Sequence, residues 1–271
     1  MTMFMQSLAP GGVPPTLPLA NVIEFFKHES RFERVADIGR DPNDVPPPIT
    51  RTNSTEVKIN VVVKEVISEV FPGIYFNYWT FDGTVPGPMY RVREGDTVIL
   101  SITNDQASLH HHNIDLHAVT GQGGGASLTN VMPGETKTIK WKAINQGLFI
   151  YHCAMPNVST HNSHGQYGLI LVEPKEGLPK VDKEFYIVQG ELYTLGQLGK
   201  KGLTVFDSNA LLDGRPNYVT FNGKIEEAPR MHANVGDKIR IYVGNGGVNL
   251  ISSFHVIGEV FDTVYPEGSL G

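Results

Sequence analysis

Phe81-Asp82-Gly83, followed by Pro88 and Glu94-Gly95-Asp96-Thr97-Val98, recurs later as Phe221-Asn222-Gly223, Pro229 and Val235-Gly236-Asp237-Lys238-Ile239. The offset is 140 residues at the first motif and 141 at Gly95 and Gly236. A period of that length is a whole folding unit, so the chain is predicted to hold two copies of one fold. The first unit's closing strands, Gly147–Val172, would have counterparts at roughly 288–313 by the same offset, past Gly271. The second copy is therefore expected to be incomplete at its C-terminus, with a sheet edge and half a core left open unless another chain covers them.

Around these motifs, short β-branched runs alternate with turn residues: Val57–Val70, Thr97–Thr103, Glu135–Trp141, Gly147–His152 and Gly168–Val172 in the first copy. Glu184–Gln189, Tyr218–Phe221 and Lys238–Val243 follow in the second. With 29 glycines and 18 prolines, the chain is predicted to be all-β, built of turn-rich β-sandwiches rather than a helical bundle. Residues 1–52 are Pro-rich and read as an N-terminal arm with a short helix around Asn21 to Val35. The expected division is that arm, a first sandwich at 53–175 and a partial second one at 180–271.

Hydrophobic residues at 40% and charged residues at 18% exclude wholesale disorder. A net charge of −6 offers no basic field for nucleic acid. No run approaches the ~18 apolar residues of a membrane span. Met1 to Ala20 has neither a basic start nor a sustained apolar stretch, so an export leader is expected to be absent or already removed.

Seven of the ten histidines fall between His110 and His164, and the only cysteine, Cys153, lies in the same stretch. A lone cysteine is ordinarily a structural thiol, and isolated histidines such as His28 and His232 are ordinarily surface residues. Clustering changes that reading. A copper site for electron transfer needs one thiolate, two imidazoles and a weak axial ligand. Cys153, His161 and Gln166 supply these on one loop, Gln being a known axial variant of Met, and His112 adds the second imidazole from an earlier strand end. His164 is an alternative to His161, disfavoured by the spacing to Gln166.

His152 and Cys153 are neighbours on a predicted strand, so their side chains should leave opposite faces and serve different metals. Asp115 and His117, two apart, share a side if their segment is extended. His117 can then join His152 at a second metal with Asp115 beside it, leaving an open position for substrate and a carboxylate to deliver protons. The Cys153–His152 step would carry an electron between the two metals. His110 and His111 read as loop residues, and Gly121–Gly125 as a flexible turn lacking the phosphate-loop pattern.

These segments resemble the copper-containing nitrite reductases, from about Val35 to Tyr265. His112-Asn113-Ile114-Asp115-Leu116-His117-Ala118 is similar to the family motif joining a type 1 copper histidine, the catalytic aspartate and a type 2 copper histidine. Tyr151-His152-Cys153-Ala154 is similar to the step in which histidine binds type 2 copper and cysteine type 1. His161 and Gln166 follow at the spacing of the short-loop subgroup, with Gln166 standing where the family usually has Met. A glutamine oxygen there implies a lower reduction potential. Ser252-Ser253-Phe254-His255-Val256-Ile257-Gly258-Glu259 resembles the segment carrying the second catalytic residue, placed at His255.

The resemblance implies two tandem cupredoxin-like Greek-key β-sandwich domains, a homotrimer, a periplasmic location and a part in denitrification. It implies type 1 and type 2 copper, nitrite as substrate, and a small donor protein, cupredoxin or cytochrome c. Asp115 and His255 would supply the two protons of nitrite reduction to nitric oxide. The third type 2 histidine belongs to the closing strands of the second domain and in the family comes from a neighbouring subunit, so no residue here is named for it. A laccase-like multicopper oxidase shares the fold unit, but it needs paired His-x-His motifs and a His-Cys-His step. Here only His110-x-His112 forms such a pair and the step reads His152-Cys153-Ala154. The remaining rival is a blue-copper electron carrier whose type 2 site is incomplete.

Overall fold

A computed structural model describes residues 25–195, 201–225 and 230–270. In chain order its strands are β1 (Glu33–Val35), β2 (Glu56–Phe71), β3 (Ile74–Phe81), β4 (Tyr90–Arg93), β5 (Thr97–Asn104), β6 (Asp115–Leu116) and β7 (Thr136–Lys142). They continue as β8 (Gly147–His152), β9 (Tyr167–Glu173), β10 (Lys183–Leu192), β11 (Gly202–Thr204), β12 (Tyr218–Phe221) and β13 (Ile239–Asn245). Three sheets result: β11-β3-β2-β5-β7 with β1 added beside β2, then β4-β9-β8-β6, then β12-β10-β13. The chain is all-β, as its runs of β-branched residues require.

The long β2 organises the first sheet. Its first half pairs in parallel with β5, from Glu56 opposite Thr97 to Val63 opposite Asn104, and its second half pairs antiparallel with β3. Alternation puts Ile59, Val61 and Val63 inward, with Val98, Leu100 and Ile102 of β5 beside them. They pack on Ile114, Leu116, Tyr151, Ile170 and Val172 from the facing sheet. β9 is buried at every position, as its unbroken apolar run suggests. Its Ile170 and Val172 enter this core, while Tyr167, Leu169 and Leu171 enter a second core with Tyr186, Val188 and Tyr242 of the third sheet.

The repeat read from the sequence is a repeat of geometry. Asp82 and Asn222 both adopt positive φ (58° and 48°) ahead of Gly83 and Gly223 (81° and 77°), the paired left-handed conformation of a tight hairpin turn. Both carboxamide or carboxylate oxygens reach back to the central strand: Asp82 Oδ1 accepts from Val62 N–H at 2.7 Å and Asn222 Oδ1 from Val188 N–H at 2.8 Å. Further on, Asp96 accepts from Arg93 N–H and Asp237 from Asn234 N–H, each at 2.8 Å. The strand order β3-β2-β5 therefore recurs as β12-β10-β13, with the same antiparallel and parallel pairings. Phe221 and Ile239, which stand in the recurring sheet where core-facing Phe81 and Val98 stand in the first, are exposed, as is Val219.

Of the helix expected around Asn21 to Val35, residues 21–24 lie outside the described residues, 25–28 are helical, and Glu33–Val35 is a strand. That stretch pairs in parallel with Val66, Ile67 and Ser68, a non-local partner that a three-residue run does not announce. Pro229 of the repeated motif also lies outside the described residues. No helix among the described residues is long and apolar enough to cross a membrane.

Asp96 ties the arm to the sandwich. Its enclosed carboxylate pairs with Arg51 and accepts the N–H groups of Thr55 and Arg93 at 2.9 and 2.8 Å. Burial opposes its ionisation, but those donors outweigh it and hold the carboxyl below the usual carboxylate range. A carboxyl depressed in the folded state adds stability that is present above its unfolded pKa, ~3.9, and lost as pH falls through the folded one. Asp96→Asn is therefore expected to cost ~1–3 kcal/mol at neutral pH and to flatten the fall in stability below about pH 4. Urea denaturation of both forms between pH 7 and pH 3 measures this, and parallel curves would refute it.

Candidate metal centres

Cys153 follows the last residue of β8, and its N–H donates to the Gln166 carbonyl at 3.1 Å, which fixes the start and end of one loop against each other. The loop between them holds a short helix, Val158–Ser163, that carries His161. His112 arrives from a different direction, bridged through its backbone to Val131. One ligand atom each from His112, Cys153 and His161 lie within 4.8 Å of one another, all three residues buried. Cys153 Sγ is 3.3 Å from His161 Nδ1, and Gln166 Oε1 is 3.0 Å from that same nitrogen.

The donor atoms of this group are not all satisfied by the protein itself. His112 Nδ1 and Gln166 Nε2 are buried with no hydrogen-bond partner, an arrangement that costs stability unless something satisfies it. Burial also pushes the Cys153 thiol up to about 12, with the N–H groups of Asn113 and Met155 offsetting only part. A thiol in such a place becomes a thiolate when a soft cation binds. One sulfur, two imidazoles and an amide oxygen fit copper.

The second group lies across the strand. Antiparallel pairing sets Asp115 opposite His152 and Leu116 opposite Tyr151. Asp115, His117 and His152 bring a ligand atom each within 4.8 Å of one another, with His117 exposed and the other two half-buried. The two Nε2 atoms face each other at 3.1 Å. His152 Nδ1 donates to the Cys153 carbonyl at 3.0 Å, which leaves its Nε2 free to bind. Burial, the largest cause, holds the His152 imidazole below its ordinary value and so keeps it in the neutral, ligating form.

Adjacent residues thus belong to different groups, His152 at the end of β8 to the open one and Cys153, just past it, to the closed one. Gln166 joins the closed group. His164 does not: its Nδ1 donates to the Thr160 carbonyl at 2.7 Å and its ring stacks on Trp79 at 4.0 Å and 12°. Burial pushes its pKa down to about 3. His255 lies on exposed, irregular chain and in neither group.

Three contributors escaped the sequence reading. Asn113 donates its N–H to Cys153 Sγ at 3.5 Å, while its Oδ1 accepts from Ala154 N–H at 2.7 Å, steadying the sulfur from both sides. Its place between the named residues His112 and Asp115 was the available signal. Trp79 sets its ring edge-on to His112 and His161 at 5.6 and 4.7 Å. Glu65 accepts from His112 Nε2 at 3.3 Å and, together with it, contacts His110, which was read only as a loop residue.

The glycine run also differs from the flexible turn expected of it. Gly123, Gly124 and Gly125 all hold positive φ within a short 3-10 segment, Gln122–Leu128. A Cβ on Gly124 would lie 1.9 Å from Asp115 Oδ1 and 2.7 Å from both the N and O of Leu116. The segment is a floor beneath Asp115. Gly124→Ala is expected to cost at least the ~1–3 kcal/mol of a strained left-handed residue and to lower metal retention at the second group more than at the first. Thermal melting and copper analysis check this, and equal loss at both groups would contradict it.

A multicopper oxidase family model matches residues 69–177. Among curated relatives, a copper-containing nitrite reductase of Neisseria meningitidis is 53% identical over 228 residues, covering 83% of this chain and 59% of that protein. One from Cereibacter sphaeroides is 32% identical over 253 residues, covering 83% of this chain and 67% of that protein. The solved copper nitrite reductase of Nitrosomonas europaea superposes with a TM-score of 0.61 at 32% identity, over 71% of this chain and 68% of that one. The chain spans about three fifths of the length of the Neisseria relative it matches.

Proposed function

The chain belongs to the copper-containing nitrite reductases, and from that premise we propose that it reduces nitrite to nitric oxide with type 1 and type 2 copper. His112, Cys153, His161 and Gln166 would hold the first copper, and His117 and His152 the second, with Asp115 beside it. Copper supplies one-electron redox chemistry at the first site and binds and activates the oxyanion at the second. The reaction takes one nitrite, two protons and one electron to nitric oxide and water. Asn113 holds the sulfur, the His152–Cys153 peptide links the two sites covalently, and Asp115 holds a proton where the N–O bond breaks.

What supports this reading above all is that His152 and Cys153, neighbours in sequence, direct their donor atoms into separate groups. A homotrimer would bring a neighbouring subunit to the exposed His117 side, and the exposure of His255 suits delivery of the second proton across such a contact. A cupredoxin or cytochrome c would be the donor, and the periplasm the location, both as parts of this proposal.

The two imidazoles of the second group favour one alternative, an electron carrier using the first copper alone. Copper analysis with a nitrite assay separates the two. Two coppers per chain and nitric oxide formation support the reductase, while one copper and no turnover support the carrier.

A further inference from the structure

We propose that Glu65 is a positioning residue of the type 1 centre, orienting His112 and lowering the reduction potential of the copper bound there. The inference rests on the reading of His112, Cys153 and His161 as a copper site. Glu65 continues the inward register of Ile59, Val61 and Val63 on β2, so its carboxylate stands where the strand pattern calls for an apolar side chain. Nothing at that position is gained by a charge unless it holds something.

What it holds is the segment that delivers His112. Glu65 Oε1 accepts from the N–H groups of Leu109 and His110 at 2.9 and 2.8 Å, and lies 3.1 Å from His110 Nδ1 and 3.3 Å from His112 Nε2. With Nε2 donating to the carboxylate, the unpartnered Nδ1 of His112 is left to face Cys153 and His161. A carboxylate on the far nitrogen of a metal-binding imidazole fixes its tautomer and makes it a stronger donor.

A fixed negative charge one imidazole away stabilises the more positive oxidation state. It therefore acts in the same direction as the oxygen of Gln166, and the pair would make this an unusually weak oxidant among blue-copper sites.

The test is Glu65→Gln in the copper-loaded protein, followed by reductive titration of the blue absorbance and by electron paramagnetic resonance. Glutamine keeps an acceptor oxygen for Leu109 and His110, whereas Glu65→Ala removes it and serves only to gauge the structural part of the role. Glu33→Gln, an exposed carboxylate, is the control. The expected result for Glu65→Gln is retained copper with a reduction equilibrium at least tenfold more favourable, ~59 mV upward for one electron, and an altered type 1 signal. An unchanged or lowered potential with copper bound, even if the melting temperature falls, overturns the proposal and leaves the copper site standing. A wild-type chain with no blue centre overturns both.

Discussion

An Asp115→Asn variant is expected to keep both coppers and to turn nitrite over ~10²–10⁴ times more slowly, the contribution of one positioned proton donor. Asparagine matches aspartate in shape and leaves the Gly124 floor undisturbed, so what is removed is the ability to release a proton. On the proposed reading the loss should fall on kcat, since the imidazoles of His117 and His152 would still be there to hold the second copper. Nitric oxide production at saturating reductant, set beside copper per chain, reads the effect. If copper content falls in step with turnover, Asp115 is a ligand and not a proton donor.

The largest effect on stability is expected at Arg91. Its guanidinium, with a side-chain exposure of 1%, pairs with Glu173 and donates to Glu184 and the Pro46 carbonyl at 2.6 Å each. Glu184 also receives Arg240 at 2.8 Å and the Tyr242 hydroxyl at 2.7 Å. One cation thus joins β4, β9, β10, β13 and the arm. Arg91→Met leaves two enclosed carboxylates short of their counter-charge, and breaking a buried pair from one side typically costs ~3–5 kcal/mol. Urea denaturation should show that loss, and adding Glu173→Gln should return part of it. A single-variant cost below ~1 kcal/mol, the value of an exposed pair, would mean that water reaches this cluster.

The two-copy architecture was legible because the turn motifs are chemical necessities: Asp82-Gly83 and Asn222-Gly223 sit where only such pairs tolerate the backbone. Strands with dense β-branched runs, such as β2 and β5, were equally plain. β3 was not among them: its Ile-Tyr-Phe-Asn-Tyr-Trp-Thr-Phe run is aromatic, and aromatic runs serve core helices as readily as strands. β1 and β11 are three residues each and owe their form to distant partners, which no local pattern encodes.

At the metal groups, the alternation expected of an extended chain was enough to separate His152 from Cys153, although the strand itself ends at His152. Glu65 stayed hidden for the converse reason. A glutamate between Lys64 and Val66 reads as a solvent-facing strand residue, and only the fold brings it 44 residues along the chain to Leu109. Trp79 was passed over likewise, since an aromatic in a strand announces packing and not that its packing partners are imidazoles.

β9 begins one residue after Gln166 and is the common wall of two hydrophobic interiors. A wall shared in this way makes each interior depend on the other. Gln166, the residue before β9, would on the proposed reading help to hold the first copper, so any loosening of the wall would reach that site through a single peptide. The colour of that ion would therefore fade in step with the melting of the far half, making the blue chromophore a built-in thermometer for the entire chain.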